Sequence, residues 1–245
     1  MRLLVIGGSG DVGRLVVPAL AERHELLLFD IVPPPEPVLG EYVPGSVTDP
    51  DALRAAVRQR DAIVYLAMGS KQGWGTTAAW AASNFDVNVT GVHLTLWAAA
   101  EAGITQIVHT SSASVFADYT ALDHAAGPEP DADDTYGLSK RLGEQVCAAA
   151  ARRNGMSITA LRLVGPMPDD EWQADDTPLR DVVTAGSDVA SAYLAALEHP
   201  RPGFHTYLVT GDADGRTLDW SATEADLGWR PRARRSSDAG RTGNA

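Results

Sequence analysis

The chain has 245 residues, of which 44% are hydrophobic and 21% charged, and it carries a formal net charge of −12 at pH 7. This length suits one large domain, or one with a smaller appendage, and suffices to bury a sizeable core. The acidic balance argues against nucleic-acid and anionic-membrane partners, and no apolar run approaches the roughly 20 residues of a membrane span. The single cysteine, Cys147, excludes an internal disulfide, and the six histidines show no paired metal-ligand spacing.

The N-terminus enters a strand pattern over residues 2–6 without signal-peptide architecture, so we expect a soluble cytoplasmic protein. A glycine-rich turn follows, and residues 14–22 then have the pattern of a helix. In the turn, Gly7, Gly10 and Gly13 form the spacing G-x-x-G-x-x-G. The pyrophosphate of a dinucleotide needs this arrangement, because backbone and helix N–H groups must approach the phosphates closely. The residues expected to hold it are Gly7, Gly10, Asp11, Val12 and Gly13.

A second apolar run, residues 26–29, ends at Asp30. A carboxylate at this position accepts both ribose hydroxyls of an adenosine and repels a 2′-phosphate, so the pattern favours NAD over NADP. A weak strand at residues 41–43 follows a proline-rich connection, and Asp49 then begins a helix that reaches about Arg58. Asp49 either approaches the adenine edge or serves only as the helix N-cap.

Residues 62–67 form a continuous apolar strand, as expected where both faces of a sheet are covered. The remaining cofactor contacts are expected from Val47, Leu66, Ala67 and Met68. Residues 68–85 hold Lys71 and Trp74 among glycines and small residues. They form either a substrate loop, with an aromatic plane for a ring and a cation for an anionic group, or a surface loop that its tryptophans pin to the core.

Strands continue to alternate with helices towards the C-terminus. Helices are predicted at residues 84–102, 136–154, 187–198 and 223–227, and strands at residues 106–110, 157–164 and 204–209. The alternation predicts an α/β fold with a doubly wound, Rossmann-type parallel sheet that binds ligands at the C-terminal strand ends.

Three regions are expected along the chain. Residues 1–165 form the NAD-binding domain, and residues 166–231 form a small, reduced substrate-binding part interleaved with the last sheet elements. Within it, residues 169–181 have the pattern of an acidic loop. Residues 232–245 lack an apolar face and are predicted to be a disordered tail.

Tyr136 and Lys140 stand four residues apart at the start of a long helix, which puts both side chains on one face. The chain has two lysines, Lys71 and Lys140, so a chance pairing at this spacing is rare. A free phenol has a pKa near ~10, too high for a base at neutral pH. A nearby ammonium, together with the positive nicotinamide ring, favours the phenolate, so Tyr136 is expected to take the proton from a substrate hydroxyl while hydride leaves for the nicotinamide.

Ser111 and Ser112 follow the predicted strand 106–110, on the same rim as the glycine turn. A hydroxyl there can bind the substrate oxygen and orient it towards Tyr136, or it can satisfy local backbone groups. Residues 118–134 are acidic and contain prolines, and they form either a solvated flap or a segment that touches substrate.

Taken together, GGSGDVG, Asp30, AIVYLA, NVTG, HTSSASVF, YGLSK and DLGWRP resemble the NAD-dependent epimerase/dehydratase family, the extended short-chain dehydrogenases/reductases. The resemblance covers residues 2–165 well and the remainder loosely. It implies an NAD cofactor and a Ser–Tyr–Lys catalytic set, in which Ser112 is the serine followed by two small residues, Val and an aromatic. It also places the family's helix asparagine at Asn88, where it would support an active-site water and Lys140.

The chain departs from the family in its C-terminal part. The nucleotide-gripping arginines of longer members have no clear counterpart; Arg162, Arg180 and Arg216 are the nearest candidates, and a structural role is the alternative for each. The compact length and the segments GSDVASAYLAALEHP and DWSATEADLGWRP resemble the uronate dehydrogenases, which oxidise a free sugar acid.

These features predict an NAD-dependent oxidoreductase that acts on a secondary hydroxyl or carbonyl of a sugar-like substrate, without a metal. The residues expected to contact substrate are Lys71, Trp74, Ser111, Ser112 and Arg162. An epimerase with tightly bound NAD shares the hydride step and is the alternative, and a non-catalytic NAD(H) sensor is a further one. The resemblance also implies a homodimer that pairs through helices 84–102 and 136–154, unless the C-terminal segment covers their apolar faces.

Overall fold

The computed structural model describes residues 1–121 and 128–236. Within these residues, seven parallel strands form one sheet in the order β3-β2-β1-β4-β5-β6-β7. The strands are β1 (Arg2–Ile6), β2 (Glu25–Asp30), β3 (Glu41–Pro44), β4 (Ala62–Tyr65), β5 (Gln106–Ser112), β6 (Ser157–Leu163) and β7 (Gly203–Val209). The predicted Rossmann-type sheet is confirmed.

Helices cover both faces of this sheet. They are α1 (Asp11–Ala21), α2 (Pro50–Ala56), α3 (Ala78–Phe85), α4 (Val92–Glu101), α5 (Thr135–Asn154), α6 (Asp169–Ala174), α7 (Gly186–Glu198) and α8 (Ser221–Leu227), and a π-helical turn (Asp86–Gly91) joins α3 to α4. On one face α1 packs against α7, and on the other α4 packs against α2 and α5. In the described ranges, no helix has the length and apolar character needed to cross a bilayer.

Successive side chains of each central strand enter opposite core layers. In β1, Leu3 and Val5 pack with α1 and α7, whereas Leu4 and Ile6 pack with α2 and α4. Because side chains alternate across a strand and both layers are apolar, the strand appears in the sequence as an unbroken apolar run.

The strand order places the ligand cleft. β1 pairs with β2 on one side and with β4 on the other, so the direction of winding reverses between β1 and β4. The connections that leave these two strands run to opposite faces of the sheet, and they leave a cleft at the carboxyl ends. The glycine-rich turn after β1 and the segment after β4 therefore face each other.

A segment predicted to be an acidic loop, residues 169–181, contains α6. Trp172 in this helix is buried, and its indole N–H donates to the Val183 carbonyl at 2.9 Å. The prediction of a loop is wrong here because a tertiary contact, which the local charge pattern does not reveal, holds the helix on the core.

The segment 68–85 also contains more helix than predicted. α3 begins at Ala78, and the Thr77 side chain caps it by accepting from the Trp80 N–H. Trp80 is buried, so one of the two tryptophans does pin the segment to the core. Residues 68–77 remain irregular and border the cleft.

Disorder is predicted from residue 232, and for residues 232–236 this is wrong; residues 237–245 lie outside the described residues. The backbone N–H groups of Arg232 and Ala233 donate to the buried Asp188 carboxylate at 2.9 Å each. Arg235 is 4% exposed, and its guanidinium lies 4.3 Å from the ring centroid of Trp172. The prediction failed because the segment is rich in arginine and lacks an apolar face, and such a pattern does not reveal these polar contacts.

The predicted boundary at residue 165 does not divide the core. β7 extends the sheet beside β6, and α7 shares a core layer with α1. The substrate-binding role of residues 166–231 stays a prediction.

Replacing Arg235 with alanine is expected to lower the free energy of unfolding by about 1–3 kcal/mol, because the carbonyls of Trp172 and Arg180 lose a charged donor. The neighbouring Arg234 is exposed, and its replacement with alanine should change stability by less than about 0.5 kcal/mol. Urea titrations measure the free energy of unfolding of both variants. Equal losses in the two would contradict the role of Arg235.

Candidate active site

The glycine-rich turn is held tightly between β1, α1 and β4. Gly7 has a φ of 82°, and a Cβ there would lie 2.4 Å from the Ala67 backbone nitrogen. A Cβ at Gly13 would lie 2.2 Å from the Gly8 carbonyl oxygen. Larger residues cannot occupy these two positions without moving backbone, so the glycines bring the N-terminus of α1 to the end of β4.

The N-terminus of α1 fits the pyrophosphate of a dinucleotide. Within the described chain, no side chain caps this helix at Gly10, so its first N–H groups remain open towards the cleft. The cleft has a volume of about 800 Å³. The predicted site residues that line it are Gly7, Gly10, Asp11, Val12, Asp30, Val47, Leu66, Ala67, Met68, Lys71, Trp74 and Tyr136. Gly13 is buried behind the turn and acts through packing.

Asp30 lies at the end of β2 with its carboxylate fixed by backbone donors. It accepts from the Ser9 N–H at 3.0 Å and from the Val32 N–H at 3.2 Å. The residues that follow it into the cleft, Ile31 and Val32, are exposed and apolar. The 2′-phosphate of NADP would therefore face the Asp30 carboxylate, and neither Ile31 nor Val32 supplies a positive charge to bind it. This arrangement fits NAD.

Asp49 is the N-cap of α2. Its carboxylate accepts from the N–H groups of Asp51 and Ala52 and caps α2, and it is absent from the described lining of the cleft. Of its two interpretations, the structure supports the N-cap.

Tyr136 stands in the first turn of α5, which Asp134 caps by accepting from the N–H groups of Tyr136 and Gly137. Ser112 lies at the end of β5, where its hydroxyl accepts from the Ser114 N–H at 3.1 Å and faces the phenol of Tyr136. Burial raises the pKa of Tyr136, the nearby Ser112 hydroxyl lowers it and the Asp134 carboxylate raises it. In the chain by itself, the pKa of this tyrosine is therefore above its usual value.

Lys140 is buried one helical turn beyond Tyr136. Its ammonium donates to the Thr110 carbonyl at 3.1 Å and lies 5.8 Å from the centroid of the Tyr136 ring. Burial lowers the pKa of Lys140 to about 8, against the opposing effect of the Glu144 carboxylate. At this distance a protonated Lys140 places positive charge beside the Tyr136 ring.

Asn88 lies in the π-helical turn and joins it to α5. Its amide donates to the Ser139 hydroxyl at 2.9 Å and to the Asn84 side-chain oxygen at 3.2 Å. No group in the described residues pairs with its own side-chain oxygen, although it is buried. π-helical turns are frequent at functional sites, so this asparagine remains a candidate for supporting Lys140.

Ser111 and Arg162, both predicted to contact substrate, point elsewhere. The Ser111 hydroxyl donates to Glu144 at 2.6 Å, and the Arg162 guanidinium makes two hydrogen bonds to the same carboxylate, at 2.9 and 2.7 Å. Because β5 extends to Ser112, its side chains alternate, and Ser111 and Ser112 face opposite sides. Arg162 lines a separate cavity of about 440 Å³, beside Glu144.

Glu144 itself is the residue that the sequence reasoning missed. It is 5% exposed and lies four residues beyond Lys140, as Lys140 lies four beyond Tyr136. The helical spacing places all three on one face, and this was the available signal.

Lys71 and Trp74 both border the cleft. The Lys71 ammonium pairs with the Asp11 carboxylate across the mouth of the glycine turn, and both side chains are exposed. The Trp74 ring lies 4.9 Å from the Tyr136 ring and 5.3 Å from that of Trp80, centroid to centroid. Trp74 is 49% exposed, so it presents a free aromatic surface beside the phenol.

The acidic segment 118–134 is described in part, and residues 122–127 lie outside the described residues. The backbone of Ala132 donates to the Val115 carbonyl at 3.0 Å, and the Asp131 carboxylate accepts from Ala117 N–H at 2.8 Å. These contacts tie the end of the segment to the turn after β5, immediately before α5.

Comparison with known proteins agrees with this arrangement. The model of the NAD dependent epimerase/dehydratase family matches residues 3–167. The L-arabinose 1-dehydrogenase (NAD(P)(+)) of Haloferax volcanii is 29% identical over 94% of this chain and 96% of its own length. The uronate dehydrogenase of Pseudomonas putida is 27% identical over 94% of this chain and 84% of its own. A 3 beta-hydroxysteroid dehydrogenase/Delta 5→4-isomerase of Mycobacterium tuberculosis is 35% identical over 67% of this chain, which spans 46% of that relative.

Solved structures share the fold. A short-chain dehydrogenase/reductase superfamily protein from Agrobacterium tumefaciens, with bound NAD, has a TM-score of 0.80 and 21% identity, covering 96% of this chain and 93% of that one. The UDP-N-acetylglucosamine 4-epimerase of Bacillus cereus has a TM-score of 0.76 and 19% identity, covering 96% and 94%. The family resemblance predicted from the motifs is confirmed.

Asp30 and Asp49 provide a matched pair for testing the cofactor site. Replacing Asp30 with alanine should weaken NAD binding about tenfold or more, because hydrogen bonds from ribose hydroxyls to a charged acceptor are lost. Replacing Asp49 with alanine should leave NAD affinity unchanged and cost about 1 kcal/mol of stability, since it removes a helix cap. Calorimetric titration and urea unfolding measure the two effects; equal losses of NAD affinity would contradict this assignment.

Proposed function

The chain belongs to the NAD-dependent epimerase/dehydratase family, and from this premise we propose that it oxidises a secondary hydroxyl, or reduces the corresponding carbonyl, of a small sugar-like substrate. It is an NAD-dependent enzyme of the short-chain dehydrogenase/reductase class. The observation that carries the proposal is the position of Tyr136, on the wall of the cleft that the glycine turn opens and with the Lys140 ammonium 5.8 Å from its ring centroid.

Tyr136, Ser112 and Lys140 each have a distinct part in the proposed reaction. NAD, when bound, supplies the nicotinamide that exchanges hydride. Tyr136 removes the hydroxyl proton during oxidation and returns it during reduction, and the Ser112 hydroxyl holds the substrate oxygen beside the phenol. Lys140 supplies positive charge next to the phenol. Since burial raises the pKa of Tyr136, the phenolate needs that charge, and oxidation should speed up as pH rises while Lys140 remains protonated.

Two observations support a small sugar as the substrate. The arabinose and uronate dehydrogenases are similar to this chain along nearly its whole length, whereas the match to the steroid dehydrogenase leaves more than half of that relative uncovered. In addition, Trp74 offers a flat aromatic surface beside Tyr136, which suits the apolar face of a sugar ring. Lys71, which pairs with Asp11 at the cleft, is the candidate for binding an acidic substituent.

An epimerase is the second candidate, and the family name includes this activity. It would use the same tyrosine but would return the hydride to the intermediate. Mass analysis of the product separates the two: oxidation removes two hydrogens, and epimerisation leaves the mass unchanged.

A homodimer through α4 and α5 is a further part of the proposal. Trp97 on α4 is 51% exposed and lies beside His93, which leaves an aromatic pair on the outer face of that helix. Such a pair is suited to an interface between two copies.

Replacing Tyr136 with phenylalanine should lower kcat/KM by about 10²–10⁴-fold, since the proton acceptor is removed while the ring stays in place. NAD affinity should change by less than twofold. Reduced-nicotinamide absorbance with a panel of sugars and sugar acids measures turnover, and calorimetry measures NAD binding. Tyr119→Phe, outside the described lining of the cleft, is the matched control; full activity in the Tyr136 variant would refute the proposed base.

Trp74 and Trp97 have nearly equal exposure, 49% and 51%, and allow a matched test of the substrate surface. Trp74→Ala should raise KM for a cyclic substrate about three- to tenfold, because stacking contact is lost, with kcat nearly unchanged. Trp97→Ala should leave KM unchanged. If both variants show the same KM, Trp74 does not contact the substrate.

A further inference from the structure

Glu144 lies at the centre of a buried charge network that the reaction described above does not use. It accepts three hydrogen bonds, one from Ser111 and two from Arg162. The Glu144 side chain is 6% exposed, and that of Arg162 is 14% exposed. The Arg162 guanidinium also lies 5.0 Å from the Phe116 ring centroid, which holds it against the end of β5. A pair this well bonded keeps both partners charged despite burial.

The two members of the pair come from different elements. Glu144 lies on α5, one turn beyond Lys140, whereas Arg162 approaches from β6 on the far side of Ser111. Side chains four residues apart on a helix are neighbours, with Cβ atoms roughly 6 Å apart. Glu144 therefore shares a helical face with Lys140 and acts on its charge, whereas Arg162 belongs to a strand of the sheet.

The other groups around Lys140 are uncharged near neutral pH. From β5, His109 is buried with its pKa lowered to about 3, by burial first and then by Lys140. From α5, burial raises the pKa of the Cys147 thiol, and burial likewise raises that of Tyr136. Thr110 contributes a carbonyl oxygen. Glu144 is thus the negative charge that opposes the desolvation of Lys140 among the groups facing it in the described residues.

We propose that Glu144 is a positioning residue that keeps Lys140 protonated beside Tyr136, and that Ser111 and Arg162 hold its carboxylate in place for this purpose. The catalytic value of this arrangement rests on the proposed function, because Tyr136 depends on the positive charge of Lys140. The electrostatic part concerns the chain alone and can be tested without turnover.

The two ends of the pair should act in opposite directions. Glu144→Gln removes the negative end and leaves Arg162 uncompensated, so the pKa of Lys140 should fall by about 1 unit. Arg162→Met leaves Glu144 with Lys140 as its nearest cation, so the pKa of Lys140 should rise by about half a unit or more. A purely structural role would make both variants less stable but would not give shifts of opposite sign.

Lysine NMR measures this directly, because the chain has two lysines. Protein labelled with ¹³C at lysine Cε gives one signal from Lys140 and one from the exposed Lys71, and Lys71→Arg identifies them. The Lys140 signal is followed from pH 6 to 11 in wild type, Glu144→Gln, Arg162→Met and Glu144→Asp. The conservative Glu144→Asp retains the charge and should stay within about half a unit of wild type.

Controls keep the test independent of folding. Glu101→Gln removes an exposed carboxylate from another ion pair, with Arg54, and should leave the Lys140 signal unmoved. If either single variant fails to fold, the double variant Glu144→Gln/Arg162→Met removes both charges, and its Lys140 pKa should still lie below that of wild type.

The outcomes separate this proposal from the proposed function. Shifts of the same sign in the two single variants, or no shift in Glu144→Gln and the double variant, would overturn the role of Glu144. If the NMR shifts occur and the alkaline limb of kcat/KM moves with them, both proposals are supported. If the NMR shifts occur in a protein whose oxidation rate does not follow them, Glu144 sets the charge of Lys140, and the proposed use of that charge fails.

Discussion

The close approach of α5 to β5 and the π-helical turn is the constraint on which the site depends. A Cβ at Gly137 would lie 2.2 Å from the Ser114 carbonyl oxygen, and one at Gly143 would lie 2.6 Å from that of Asn88. These two glycines allow the first turns of the helix to reach the strand end. As a result the Tyr136 phenol meets Ser112, and Lys140 meets the Thr110 carbonyl. A wider separation would leave the lysine in water and the tyrosine without its partner.

This approach also creates the electrostatic problem of the site, because Lys140 is removed from water. Burying an ammonium disfavours its charge, and a hydrogen bond to one carbonyl is weak compensation. The pair of Glu144 and Arg162 supplies a nearby negative end without burying an unpaired carboxylate. In the proposed arrangement, Arg162 on β6 balances the charge of Glu144, and Glu144 on α5 balances that of Lys140.

Much of the cofactor half is local in the sequence, so sequence patterns can indicate it. The turn after β1, the acid at the end of β2 and the lining from β4 each follow an apolar strand directly, so a strand assignment places them at the carboxyl edge. Asp49 was ambiguous because capping and ligand binding both use a free carboxylate, and only its hydrogen bonds to Asp51 and Ala52 decide between them. The sequence predicts a loop at Trp172 and a disordered tail at Arg235, because the contacts that hold these segments, such as that of Arg235 with the Trp172 carbonyl, join residues that are not neighbours in the chain.

From sequence alone came the alternation of strands and helices, the glycine spacing and the single helical face shared by Tyr136 and Lys140. These depend on periodicity and on neighbours within a few residues, which a linear pattern preserves. The tertiary structure decided which of two adjacent serines faces the tyrosine, where Arg162 points, and how burial changes the pKa of each group. Those properties depend on where β5 ends and on what packs around it, and no short stretch of the chain contains that information.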